Sequence, residues 1–214
     1  VDLNFALYSF IAIFIIVDPV ANVPIFMAIL ADFSKKKRRA MVKRAVIIAV
    51  IILIIFTLAG NAIFRYLGIE MYSFRIAGGF LLFIISLEML FGMRPSTKST
   101  AKEEEEAIHK EDVAVTPLAI PLLTGPGAIT TSIVLFNTAE EVTDQALLFV
   151  SIILVYLVSY YILSRSDKAF EILGYTGTMV IVRIMGLLLA AISVQFIIAG
   201  IEEAIINISP RIQV

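Results

Sequence analysis

Residues 3–30 read LNFALYSFIAIFIIVDPVANVPIFMAIL, an apolar run interrupted by Asp18-Pro19-Val20-Ala21-Asn22-Val23-Pro24. A membrane-spanning helix needs about 20 mostly apolar residues, so the run is long enough to cross a bilayer. Proline removes a backbone donor and clashes with the preceding turn. In hydrocarbon the freed carbonyls must find other partners. Asp followed by Pro is also an N-cap followed by a first helical residue. The stretch therefore reads as a broken span whose second half begins at Pro19.

Working outward, five more apolar runs follow: Ala45 to Leu67, Phe74 to Met93, Val113 to Phe136, Ala146 to Leu163 and Met179 to Ile206. They are continuous and rich in Leu, Ile and Ala, without period-2 alternation, so they read as helices rather than barrel strands. The first run has no basic flank and exceeds signal-peptide length, so cleavage is not expected. The expected fold class is all-α: a polytopic membrane protein of six transmembrane helices forming one domain over residues 1–214. Composition agrees. Of 214 residues 60% are hydrophobic and 16% charged, where a soluble domain averages about 45–50% and 25%; mean hydropathy is +0.97. A soluble enzyme, a disordered chain and a secreted disulfide scaffold are excluded. The net charge of −1 gives no field for nucleic acid. The chain has no cysteine and one histidine, which leaves no thiolate or histidine-cluster metal site; no metal and no cofactor are expected.

Basic residues orient the spans. The first connection carries Lys35, Lys36, Lys37, Arg38, Arg39, Lys43 and Arg44; the third carries Arg94, Lys98, Lys102 and Lys110; the fifth carries Arg165 and Lys168. The second and fourth, around Tyr66–Ser73 and Asn137–Gln145, hold no Lys or Arg. The odd connections are therefore expected in the cytoplasm and both termini outside, in the inner (cytoplasmic) cell membrane. Residues 94–112, with Glu103 to Glu106 and His109, read as a solvated cytoplasmic linker.

The linker separates residues 1–93 from 113–214, and the two parts match. Asp18-Pro19-Val20-Ala21 faces Gly125-Pro126-Gly127-Ala128, Arg75-Ile76-Ala77-Gly78 faces Arg183-Ile184-Met185-Gly186, and Gly92 faces Gly200, all at nearly one spacing. The parts read as two three-helix repeats. Three spans per copy place the second copy upside down, the inverted plan of many secondary transporters. The first helix of each copy is broken, the second one by Thr116-Pro117-Leu118-Ala119-Ile120-Pro121-Leu122-Leu123-Thr124-Gly125-Pro126. Each break is expected to present a half-helix N-terminus, with free N–H groups and the positive dipole end, to an anion. Gly125 and Gly127 leave room for a small ligand to approach the backbone.

Asp18-Pro19-Val20-Ala21-Asn22-Val23-Pro24-Ile25-Phe26 and Pro121-Leu122-Leu123-Thr124-Gly125-Pro126-Gly127-Ala128-Ile129 resemble the motif pair of the MarC family, and the resemblance extends over nearly the whole chain. It implies a six-helix membrane protein, with amino-acid uptake in some members, including an archaeal transporter of small neutral amino acids, and export proposed for others.

The expected function is secondary active transport of glycine, alanine or a similar neutral amino acid, coupled to protons or, as second choice, Na+. A passive channel or exporter using the same breaks is the alternative. An enzyme is not expected: Asp18 has Gly125 opposite it rather than a second aspartate, and no nucleophile motif occurs. The expected substrate-binding residues are Asp18, Pro19, Val20, Ala21, Asn22, Thr124, Gly125, Gly127 and Ala128. Several roles stay open. Asp18 is a ligand or proton carrier, or only a cap. Asn22, one turn on, meets the ligand or closes the broken backbone. Thr124 could supply a hydroxyl, and Thr130 and Thr131 are expected to bond carbonyls of their own helix. Arg75 and Arg183 snorkel to an interface or join a network between the copies. Glu88 titrates with transport or fills a packing gap. Gly78, Gly79 and Gly186 are expected at close helix contacts. The bilayer is the other partner, and a homo-oligomer is compatible with the chain.

Overall fold

In a computed structural model of the protein, residues 3–31, 33–93 and 113–212 are described. The expected linker, 94–112, lies outside the described residues. The described chain is helical: α1 (Leu3–Val17), α2 (Pro19–Ile29), α3 (Lys35–Leu67), α4 (Met71–Leu90), α5 (Ala114–Leu123), α6 (Pro126–Thr138), α7 (Val142–Leu163) and α8 (Ser166–Ile212). Five units are long and apolar enough to cross a membrane, with α1 and α2 counted as one span; α5 with α6, bent by 56°, makes a sixth.

One helix starts well before the apolar stretch that marks it. Helix α3 begins at Lys35 rather than near Ala45, capped by Ser34, whose hydroxyl accepts the Lys37 N–H at 3.4 Å. Within α8 a short helix from Ser166 is broken at Gly174, and the long helix beyond the break starts close to the expected Met179. Hydropathy marks where the hydrocarbon begins, whereas backbone bonding continues through charged residues until a cap or breaker intervenes. In α8 the breaker is Gly174, at φ 62° and ψ −177°, a backbone region open essentially only to glycine.

The broken spans sit at the centre. In the most apolar stretch of Leu3–Ile29, 67% of residues are buried, against 28–39% in α3, α4, α7 and α8. Helix α3 illustrates the outer elements. Ala45, Ala49, Leu53, Thr57 and Gly60 face inward, while Ile47, Ile51, Ile55 and Leu58 are exposed. A stripe of exposed large apolar side chains suits lipid; the small inner residues let helices approach closely.

The packing joins one half to the other. Helix α4 lies on α8, α1 on α7, α3 on α5, α2 on α8 and α4 on α6. Exchanging α1–α4 with α5–α8 turns this set of pairs into itself. The α4–α8 seam is antiparallel: Tyr72 and Ile76 meet Gly200, Gly79 meets Ser193 and Ile197, and Ser86, Met89 and Leu90 meet Gly186. A Cβ on Gly186 would lie 2.9 Å from Met89 Cβ. The expectation that Gly78, Gly79 and Gly186 mark close helix contacts holds.

Candidate functional site

The first break is a single residue. Asp18 is the described non-glycine residue with positive φ (50°, ψ 64°), a conformation that Asp tolerates better than most at a cost of about 1–3 kcal/mol. Its Oδ1 accepts the Ala21 N–H at 3.1 Å, so Asp18 caps α2, with Pro19 as first helical residue. The ladder nearly continues through it, since the Asp18 N–H donates to Phe14 O at 3.0 Å and the Asn22 N–H to Asp18 O at 3.3 Å. The last carbonyl of α1 is recovered by a side chain: Asn22 Nδ2 donates to Val17 O at 3.0 Å and, more weakly, to Leu122 O at 3.4 Å. Both donor hydrogens of Asn22 therefore go to backbone, the closing role of the two open to it. Asp18 and Asn22 are buried; Val20 is buried and Ala21 partly so.

The second break is more severe. Thr116 and Ile120 hold extended backbone, near φ −127°, ψ 120°, because the residue before a proline is pushed out of the helical region. Their followers are Pro117 and Pro121. Helix α6 then starts at Pro126 with Gly125 as N-cap, and no side chain caps it. Thr124 does not cap α6. Its Oγ1 lies 3.0 Å from Ala49 O on α3 and 2.6 Å from the Tyr156 hydroxyl on α7, and Tyr156 lies 3.0 Å from Leu123 O. Two hydroxyl protons serve three contacts. At 2.6 Å the two hydroxyls need a proton between them, so the pair donates to one carbonyl at a time, Ala49 or Leu123. The expected Asp18 cap is thus present on α2, whereas at the second break the N-terminus of α6 has no side-chain cap, so the two half-helix N-termini are not equivalent.

The structure brings the breaks together. Besides the Asn22–Leu122 contact, a Cβ on Gly127 would lie 2.8 Å from Ile16 Cδ1 and 3.1 Å from Ile85 Cδ1. The space expected for a ligand beside Gly127 is therefore filled by Ile16 and Ile85 in this conformation, and Gly127 is a close helix contact. Gly125 is similarly tight, with Pro121 O at 2.9 Å from its ideal Cβ. Gly125, Gly127 and Ala128 are buried; Pro126 is exposed. One turn into α6, on the Gly127 face, Thr131 Oγ1 is buried with no hydrogen-bond partner among the described residues. It does not make the expected bond to its own helix. Thr130 instead presses its methyl against Gly78.

The remaining charged candidates separate. Arg75 Nη1 pairs with Glu203 Oε2 on α8 at 3.2 Å, which is the network role. Arg183 is exposed, with its guanidinium beside the Gly92 turn. Glu88 is partly buried in the last turn of α4, three residues beyond Ile85. Sequence reading missed Tyr156. The available signal was a phenol in the middle of an apolar run, since a buried Tyr hydroxyl normally finds a partner. Ala49 enters only through its carbonyl, which no side-chain pattern marks.

A family described as MarC family integral membrane protein matches residues 3–205. Among curated proteins, a UPF0056 membrane protein of Methanocaldococcus jannaschii is 41% identical over 199 residues, covering 93% of this chain and 87% of the relative. One from Archaeoglobus fulgidus is 41% identical over 207 residues, 96% of each chain. The UPF0056 membrane protein YhcE of Escherichia coli K12 is 35% identical over 193 residues, 90% of each. No solved structure matches.

Proposed function

The chain belongs to the MarC family of integral membrane proteins, and we propose that it is a secondary active transporter of small neutral amino acids such as glycine and alanine, coupled to protons. The observation that carries this reading is the N-terminus of α6, buried at Gly125, Gly127 and Ala128 and capped by no side chain, which lies against the Asp18 break. Buried helix ends without side-chain partners are uncommon, and an N-terminus offers N–H groups and a positive dipole end to an anion. The substrate carboxylate accepts from the backbone at Gly127 and Ala128. The ammonium is held by carbonyls of the irregular α5 backbone and by Asp18. Thr131 adds a hydroxyl on the same face of α6. Ile16 and Ile85 close over Gly127, so they withdraw when substrate enters, and the room they leave suits hydrogen or methyl better than a large side chain.

The exchange-symmetric packing supports the inverted-repeat plan, in which two oppositely facing states follow from swapping the shapes of the copies. The Arg38–Asp167 ion pair, at 3.3 Å, holds the first and fifth connections at one end of the molecule. This supports their common assignment to the cytoplasm and a site in the inner membrane. The activity needs no cofactor and no covalent step.

The test is accumulation of radiolabelled glycine and alanine in proteoliposomes under an imposed pH gradient. Saturable uptake, competed by neutral amino acids and abolished by collapsing the gradient, is expected. Uptake that never exceeds equilibrium and shows no counterflow identifies a pore and refutes the carrier.

A further inference from the structure

A second feature lies away from the breaks. Where α2 and α7 end and α3 and α8 begin, a cavity of about 140 Å³ is lined by Lys35, Arg38, Arg39, Arg165 and Lys168, with Asp167 as its one carboxylate. Two of the cations have structural work. Arg38 donates to Phe33 O and Ala31 O, both at 2.8 Å, and pairs with Asp167. Arg165 stacks on the Tyr161 ring at 3.9 Å. Lys35, Arg39 and Lys168 are exposed and have no carboxylate in ion-pair range among the described residues. The N-termini of α3 and α8 both open here, adding positive dipole ends.

The opposite end of the molecule provides a comparison. There α3 and α6 end and α4 begins, the elements that exchange of the halves equates with α7, α2 and α8. A cavity of about 380 Å³ lies among them, lined by one cation, Arg65, one carboxylate, Glu70, and the amides Asn61 and Asn137. The fold makes a cavity at both ends, and only one is cationic. Orientation by basic loops requires positive charge on that side, but not its convergence on a cavity with a single carboxylate. The outer face of α3, with Ile47, Ile51 and Ile55 exposed, keeps the helix that carries Lys35 and Arg39 in contact with acyl chains.

We infer that this cavity binds a phosphate group, carried by an anionic membrane lipid whose headgroup sits among Lys35, Arg39 and Lys168 and whose chains lie in the surrounding bilayer. Basic pockets between helices at the cytoplasmic boundary suit such headgroups. The bound lipid ties the start of α3 to the start of α8 alongside Arg38–Asp167.

The experiment is native mass spectrometry of the purified, delipidated full chain titrated with phosphatidylglycerol, phosphatidylcholine or inorganic phosphate. Phosphatidylglycerol binds at least about ten-fold more tightly than phosphatidylcholine, and K35Q/R39Q/K168Q weakens it by about a hundred-fold. K36Q/K37Q/K43Q removes equal charge outside the cavity and changes binding by less than about three-fold. Equal losses in the two triple variants reduce the effect to general surface charge and overturn the site. Competition by inorganic phosphate at matched concentration overturns the lipid as its source.

Discussion

Replacing Tyr156 with Phe tests whether the hydroxyl pair holds the second break. The side chain is fully buried, so the substitution removes one oxygen and leaves the ring in place. Two contacts are lost, to Leu123 O at 3.0 Å and to Thr124 Oγ1 at 2.6 Å. The two hydroxyls carry two protons and so make two bonds at a time; without the Tyr156 hydroxyl, Thr124 still donates to Ala49 O, so Tyr156→Phe loses one bond. Hydrogen bonds between helices in membranes are worth about 0.6 kcal/mol on average and about 1.7 at most, which gives about 0.6–1.7 kcal/mol for Tyr156→Phe. Thr124→Val likewise leaves Tyr156 donating to Leu123 O and loses one bond, for a similar total. The double variant loses both bonds, so a double-mutant cycle should return a coupling within about 0.3 kcal/mol of zero. The assay is reversible unfolding in mixed micelles, read by near-ultraviolet circular dichroism, for the parent, both singles and the double. A coupling above about 0.6 kcal/mol means that all three contacts are made at once and refutes the claim that two protons are shared among them. A Tyr156→Phe variant as stable as the parent refutes the anchoring role outright.

Gly127→Leu should prevent folding rather than simply block a pocket, because even a Cβ collides with Ile16; Gly127→Ala should lose transport, and adding Ile16→Ala should restore part of it in proteoliposome uptake. Gly186→Leu should cost about 1–3 kcal/mol or more by prising α8 from α4, since the atoms met include Leu90 N and Ser86 O, which are backbone and cannot rotate away; unchanged unfolding would contradict the seam. Asp18→Asn keeps the left-handed cap, so folding should persist while the response of uptake to an imposed pH gradient disappears; a variant indistinguishable from the parent in both would make Asp18 structural only. Arg75→Gln and Glu203→Gln should couple by less than about 1 kcal/mol, as Glu203 is 36% exposed, a value read from the same unfolding cycle.

The fold class was legible because lipid imposes a length and a composition on every crossing segment, and Leu3–Leu30 meets both despite its break. The prolines that break the backbone were legible too, whereas Pro24, read as part of the first interruption, sits inside α2 without breaking it. Pro19, Pro117, Pro121 and Pro126 act on their own and the preceding residue, so Asp18, Thr116, Ile120 and Gly125 leave the helix where local chemistry says they must. The extent of α3 was not legible, because its charged first turns stay helical beyond the apolar stretch.

What lay beyond the sequence was the partner of each polar group. That Asn22 reaches Val17 and Leu122, that Thr124 turns to Ala49 and Tyr156 instead of capping α6, and that Arg75 finds Glu203 while Arg183 stays exposed all depend on residues far apart in the chain. The same holds for Gly127, read as space for a ligand and found filled by Ile16 and Ile85. By itself the sequence determined the crossings and the breaks, since these rest on hydrophobicity and backbone sterics within a few residues. Only the tertiary structure decided which break keeps an N-terminus without a side-chain cap, because hydrogen bonds and close contacts are made by whatever the packing brings within reach.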